Sequence, residues 1–170
     1  MSLKPNAVVP ALTLPTVGGG TFDLRAGQPT AFTMLVVYRG LHCPICKTYL
    51  RDLDQKLGEF SALGVDAVAV TTDSKDRAEQ ARKEWGIENL PIAHDLSIDQ
   101  ARGWGLYISA AIKETEPALF AEPGLFLVRP DGTLYAASLQ TMPFARPQFA
   151  EILGAVKYIT NNNYPARGEV

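Results

Sequence analysis

The stretch Tyr38–Leu50, YRGLHCPICKTYL, carries both cysteines of the chain, Cys43 and Cys46, in a single C-x-x-C. Just before it, Thr30–Tyr38 (TAFTMLVVY) is an almost unbroken apolar run rich in aromatic and β-branched residues, the pattern of a strand buried on both faces. Just after it, Cys46, Tyr49, Leu50, Leu53, Leu57 and Phe60 recur at three- and four-residue steps, and Gly64 supplies a stop. The cysteines therefore open an amphipathic helix. Pro44 suits the first helical position, where a missing N–H costs nothing, and that makes Cys43 the N-cap.

Further along, Val65–Thr72 (VDAVAVTT) reads as a second apolar strand, and Asp73 or Ser74 caps a charged helix ending at Trp85-Gly86. This β-α-β-α order calls for a parallel sheet. Leu90–Asp95 (LPIAHD) is a third short strand, and Ser97 with Gln100 gives a capping-box signature opening a short helix toward Gly105. Gly124–Gln140 reads as an antiparallel hairpin turning at Pro130-Asp131-Gly132. Pro147 then starts a last amphipathic helix through about Ile159. Ahead of the first core strand, residues 11–24 form a hairpin around Gly18-Gly19-Gly20, whereas residues 106–122 show no clear pattern. The expected organisation is one domain over residues 1–160 and a loosely held polar tail over 161–170.

The chain has 170 residues, 46% of them hydrophobic, enough for one domain to bury a proper core. Sixteen Lys and Arg against eighteen Asp and Glu leave a formal charge of −2 without a run of like charge, so neither nucleic acid nor an anionic membrane is an expected partner. The first residues are broken by Pro10 and Pro15 and lack a signal peptide's apolar core, and no apolar run approaches the roughly 20 residues that span a bilayer. The expectation is a soluble, cytoplasmic protein. In a reducing compartment, a bridge between cysteines this close in sequence would staple little, so the pair reads as reactive or metal-binding.

A thiolate is the reactive form of cysteine, and a helix N-terminus stabilises negative charge through its unpaired N–H groups and its dipole. Cys43 at the N-cap is thus the expected nucleophile. Cys46, one turn in and aligned with Leu50, Leu53 and Leu57, is the more buried sulfur, placed to resolve a mixed disulfide on Cys43 without any cofactor. His42 can tune Cys43 as an imidazolium or face solvent, and Arg39 is a rim residue that can add positive charge. His94, ending a short strand, reads as structural. Zinc is a rival reading, but a structural site takes four ligands, only His42 and His94 would join the two thiolates, and His42 adjoins Cys43 too closely to be an easy co-ligand. No metal is expected. Two inert core thiols are the plainest alternative.

The order of strand, C-x-x-C at a helix start, parallel strand and later hairpin resembles the thioredoxin fold. Within that superfamily, VVPALTLPTVGGGTFDL, LVVYRGLHCPICKTYLRDL, VTTDSKDRAEQARKEWGI and EPGLFLVRPDGTLYAAS resemble the peroxiredoxin-like proteins of the alkyl hydroperoxide reductase/thiol-specific antioxidant (AhpC/TSA) family. The resemblance implies an α/β, thioredoxin-like fold, a central mixed β-sheet flanked by helices, with an N-terminal β-hairpin extension. It also implies an antioxidant-type oxidoreductase with a redox-active disulfide. Two positions depart from the family: where peroxiredoxins have Thr three residues before the peroxidatic cysteine this chain has Cys43, which would make Cys46 peroxidatic, and where they have an Arg before the GLF strand it has Pro123. Pro123 instead matches the proline, usually cis, beside the cysteine pair of thioredoxins. Against exchange, the buried acid of thioredoxins is matched by Val37.

The first reading is therefore a thiol–disulfide oxidoreductase cycling Cys43 and Cys46, with Pro123, His42, Arg39 and Pro44 shaping or tuning the site. The second is a thiol peroxidase in which Cys46 is oxidised to a sulfenic acid and Cys43 resolves it. The substrate is a protein dithiol or disulfide, or a peroxide, with a thiol reductant as electron donor. The segment AAIKETEPALFAEP is expected to fold over the site and to supply apolar contacts to a substrate or to a second copy in a homodimer.

Overall fold

A computed structural model describes residues 3–170 of the chain, and its centre is the largely apolar run after Thr30. This run forms a strand, here called β3 (Phe32–Val37), buried at every position. The short hairpin β1 (Thr13–Pro15) and β2 (Thr21–Asp23) precedes it, as expected from the glycine turn. Helix α1 (Pro44–Ala62), strand β4 (Val65–Val70), helix α2 (Lys75–Trp85), strand β5 (Ile92–Ala93) and helix α3 (Ile98–Gly103) follow. Next come a hairpin of β6 (Ile108–Ala110) and β7 (Leu119–Ala121), the hairpin β8 (Gly124–Val128) and β9 (Leu134–Leu139), and helix α4 (Phe149–Asn162). Small differences at element ends and the β6–β7 hairpin apart, the latter lying where the sequence shows no clear pattern, the element order expected from periodicity is the one observed.

The five-stranded sheet runs β5-β4-β3-β8-β9, with β4 parallel to β3, β5 parallel to β4, and β8 and β9 antiparallel neighbours. Side chains alternate across β3, so its two faces serve different layers. Met34, Val36 and Tyr38 join Leu50, Leu53 and Phe60 of α1, Trp85 of α2, and Phe149, Ile152 and Val156 of α4. Leu35 and Val37 join Leu12, Leu14 and Leu24 of the N-terminal segment, Trp104 after α3, and Phe126. Each fully buried Leu or Phe of this kind contributes about 1.5–3 kcal/mol, and the first layer holds both cysteines rigidly against the sheet.

Gly64 ends α1 in a left-handed conformation (φ 77°), where a Cβ would fall 1.9 Å from the Thr30 hydroxyl, so no larger residue fits. Ser74 caps α2, and Ser97 with Gln100 forms the complete capping box of α3. The C-terminal tail departs from expectation. It is anchored, because the Tyr135 hydroxyl donates to the Tyr164 carbonyl at 3.0 Å and Ala166 is buried in the first layer. No helix among the described residues is long and apolar enough to cross a membrane.

Candidate active site

At the mouth of β3 the chain turns through Gly40 (φ 138°) and enters α1. The turn is held from below by Asp73, a buried carboxylate that accepts from the Leu41 backbone N–H at 2.8 Å and from Arg77 Nε at 3.0 Å. A Cβ at position 40 would lie 2.7 Å from both Asp73 carboxylate oxygens, so glycine is required there for packing as well as for its φ. The turn delivers Cys43 as the N-cap of α1 (φ −107°, ψ 104°) with Pro44 behind it, as the sequence indicates. Cys43 Sγ accepts the N–H of Cys46 at 3.4 Å, satisfying one of the helix's orphan donors with sulfur. No acidic residue occupies the first turn to compete for that field.

Both thiols are free and buried, with Cys43 2% and Cys46 0% exposed. They do not carry charge equally. A hydrogen bond from the Cys46 thiol, the Cys46 backbone N–H and the Arg146 guanidinium outweigh burial and bring Cys43 down to about 5. Burial and the same hydrogen bond, now lost on ionisation, push Cys46 well above the ordinary thiol value. Within the pair, negative charge is favoured on Cys43 and disfavoured on Cys46, whose thiol donates to it.

Arg146 is the residue that sequence reasoning missed. Its Nη1 donates to Cys46 Sγ at 3.2 Å and its Nη2 to Cys43 Sγ at 3.5 Å, while Nε donates to the Pro143 carbonyl at 3.2 Å. The guanidinium lies 5.4 Å from the centre of the Tyr49 ring, and the residue is 9% exposed. It stands one hundred residues from Cys46 in a stretch without periodicity, MPFARPQ. The one available signal was an arginine set among Met, Phe and two prolines, an apolar context odd for a solvated loop.

The other residues singled out from sequence come close to the pair but face different partners. Arg39 forms a two-point bridge to buried Glu122 (3.0 and 3.3 Å) and lies 5.0 Å from the Phe120 ring centre, and Ser109 adds a 2.6 Å hydrogen bond to the same carboxylate. Burial would lower the Arg39 pKa, but Glu122 and then Cys43 raise it overall. His42 packs edge-on against Phe120 at 4.6 Å, and burial and then Arg39 hold it below its usual value, so it stands as a neutral imidazole at pH 7. Its Nδ1 faces Arg77 Nη2 at 3.5 Å and its buried Nε2 has no partner.

The β6–β7 hairpin, the unreadable part of the sequence, supplies Phe120 against His42 and Ser109 to Glu122 beside the site. Pro123 lines a crevice with Tyr49 and Arg146, but its peptide bond is trans, like all those described, so the cis geometry implied by the thioredoxin match is absent. The Pro123 carbonyl accepts from the Gln140 N–H at 2.9 Å where β8 and β9 part. His94 is buried away from the thiols, with Nδ1 2.7 Å from Asp95. No cluster of three or more metal-ligating side chains occurs among the described residues.

Comparison with known proteins places the fold and the family. Residues 5–137 match the AhpC/TSA family. The chain is 26% identical over 105 residues to a Mycobacterium tuberculosis protein assigned to the peroxiredoxins, in each of two strains, a match covering 62% of this chain. It spans just under two thirds, 66%, of the length of those relatives. Among solved structures, it is similar to the peroxidoxin BcpB of M. tuberculosis (TM-score 0.76, 15% identity, 92% of this chain and 98% of the other). A peroxiredoxin-like protein of Aquifex aeolicus gives 0.75 at 18% identity (94% and 89%), and AhpC of Mycobacterium bovis gives 0.77 at 16% (98% and 98%). At such identities these likenesses establish a shared thioredoxin-like fold.

Proposed function

The chain belongs to the AhpC/TSA family, and from that premise we propose that it is a thiol peroxidase that reduces hydroperoxides through the Cys43–Cys46 pair. The observation that carries this reading is the Arg146 guanidinium donating to both sulfurs. A buried cation at this place stabilises the attacking thiolate. It also offers donors to the peroxide oxygen on which negative charge grows as the O–O bond breaks. Sequence reasoning ranked disulfide exchange first. The family and an arginine that donates to both sulfurs support the opposite order.

In the cycle, the Cys43 thiolate attacks one peroxide oxygen, the O–O bond breaks, and its electron pair leaves on the distal oxygen, which takes a proton and departs as water or alcohol. Cys43 becomes a sulfenic acid. The Cys46 thiol then loses its proton, attacks Cys43 sulfur and expels the second oxygen as water, leaving a Cys43–Cys46 disulfide for an external dithiol to reduce. A second reading starts the attack at Cys46, the peroxidatic position by resemblance, and is favoured by the shorter 3.2 Å contact from Arg146. Trapping the sulfenic acid with a dimedone-type reagent in Cys43→Ser and Cys46→Ser proteins tests both. Adduct on Cys43 of Cys46→Ser supports the first, and adduct only on Cys46 of Cys43→Ser supports the second.

A further inference from the structure

Tyr49 follows Cys46 by three residues on α1, which puts both on one face of the helix. Its hydroxyl and ring meet the chain on both sides of Arg146. The hydroxyl donates to the Pro147 carbonyl at 2.6 Å, the ring centre lies 5.4 Å from the Arg146 guanidinium, and the ring stacks on Phe149 at 4.3 Å. Burial, only partly offset by Arg146, raises the hydroxyl above its usual pKa, so it stays a donor at any pH at which the thiols work. Residues 140–147 contain no helix or strand, so no backbone ladder sets where Arg146 stands. Its Nε bond to the Pro143 carbonyl at 3.2 Å stays within that segment and fixes its shape, not its place. Tyr49, by contrast, belongs to the helix that Cys43 caps and Cys46 occupies.

We infer that Tyr49 is the positioning residue of Arg146: it ties the loop that carries the guanidinium to the helix that carries the sulfurs, and so fixes the donors at 3.2 and 3.5 Å from them. The inference rests on the peroxidase reading above only for its kinetic measurement. An arginine on an unanchored loop keeps its rotamer freedom and its hydration, and both favour leaving a buried site. The tyrosine opposes each. Its ring offers a face to the cation, an attraction that grows as water is excluded, and its hydroxyl restrains the backbone one residue further on. Phe149, the first residue of α4, stacks on the ring and holds its plane. Among the described residues Tyr49 makes no hydrogen bond to either sulfur, so its effect on them passes through Arg146. A ring that merely filled space between α1 and α4 would leave the sulfurs indifferent to loss of the hydroxyl.

The test is made on Tyr49→Phe, which keeps the ring and removes the hydroxyl, and on Tyr49→Leu, which removes both. The Cys43 thiolate is titrated by its absorbance at 240 nm, and oxidation by hydrogen peroxide is followed by stopped flow. The Cys43 half-point should move upward from about 5 in Tyr49→Phe and further in Tyr49→Leu. The rate should fall about tenfold and about 100-fold respectively, the order of loss a displaced catalytic group causes. In an Arg146→Met background the same substitutions should change the rate about twofold at most and leave the half-point in place, because the residue they act through is gone. A half-point unmoved in Tyr49→Phe, or moved equally with and without Arg146, would overturn the inference and leave Tyr49 as packing. Free-thiol rates with hydrogen peroxide in wild type would overturn the peroxidase reading instead, and the titration, which uses no peroxide, still decides the inference.

Discussion

Two arginines flank the thiol pair, and they are in opposite electrical situations. Arg39, four residues before Cys43, spends its charge on buried Glu122. Arg146, a hundred residues away in sequence from Cys46, has no carboxylate partner among the described residues and directs its Nη groups at sulfur. Proximity in sequence thus points to the wrong cation. What matters is which guanidinium is left without a competing anion, because a buried charge is compensated by whatever group can ionise beside it, and here that group is a thiol.

The largest expected effect follows from removing the uncompensated cation. Arg146→Met should slow oxidation by hydrogen peroxide about 10²–10³-fold, the usual cost of a lost transition-state donor, as measured by stopped-flow fluorescence. Arg146→Lys should retain part of that rate and lose about tenfold, since a point charge cannot span two sulfurs as a planar fork does. Equal rates in Met and Lys variants would mean that the guanidinium fills space and nothing more.

The pH dependence comes next. Because Cys43 is depressed to about 5, its thiolate is lost as pH falls through that value and is complete by pH 7. Alkylation by iodoacetamide should therefore be flat from pH 7 upward and fall to half near pH 5. In Arg146→Met the half-point should move upward, toward the ordinary thiol range, because one of the stabilising partners has gone. Absorbance of the thiolate at 240 nm gives the same titration independently of reaction rate.

Breaking the other arginine's pair should chiefly cost stability. Arg39→Met leaves Glu122 buried with Ser109 as its remaining side-chain partner, and urea unfolding should register a loss of about 3–5 kcal/mol. The peroxide rate should drop much less than in Arg146→Met. A collapse of rate with unchanged stability would reverse the roles assigned to the two arginines. His42→Asn should have the smallest effect, because the imidazole is neutral at pH 7 and contributes no cation: the Cys43 titration should move only slightly.

Legibility in the sequence divides along the same line. The buried strand β3, the proline at the start of α1, the glycine at its end, the capping box of α3 and the turn at Gly132 are local devices, each written in adjacent residues, and each is found where expected. Cys43 as N-cap belongs to this set. The β6–β7 hairpin was unreadable because its strands are three residues long and only partly buried, so neither carries a usable alternation. The roles of Asp73, Glu122 and Arg146 at the site were unreadable for a different reason. Each acts across the fold, on Leu41, on Arg39 and on the sulfurs, through hydrogen bonds that depend on which segments the sheet brings together.

The most direct test of the account is rapid mixing of the reduced protein with hydrogen peroxide in wild type, Cys43→Ser and Cys46→Ser, with the product of each located by mass. Oxidation should be far faster than that of a free thiol, giving a Cys43–Cys46 disulfide in wild type and a stable sulfenic acid on Cys43 when Cys46 is serine. Free-thiol rates in wild type, with rapid attack by Cys43 on a model disulfide instead, would contradict it and restore the exchanger.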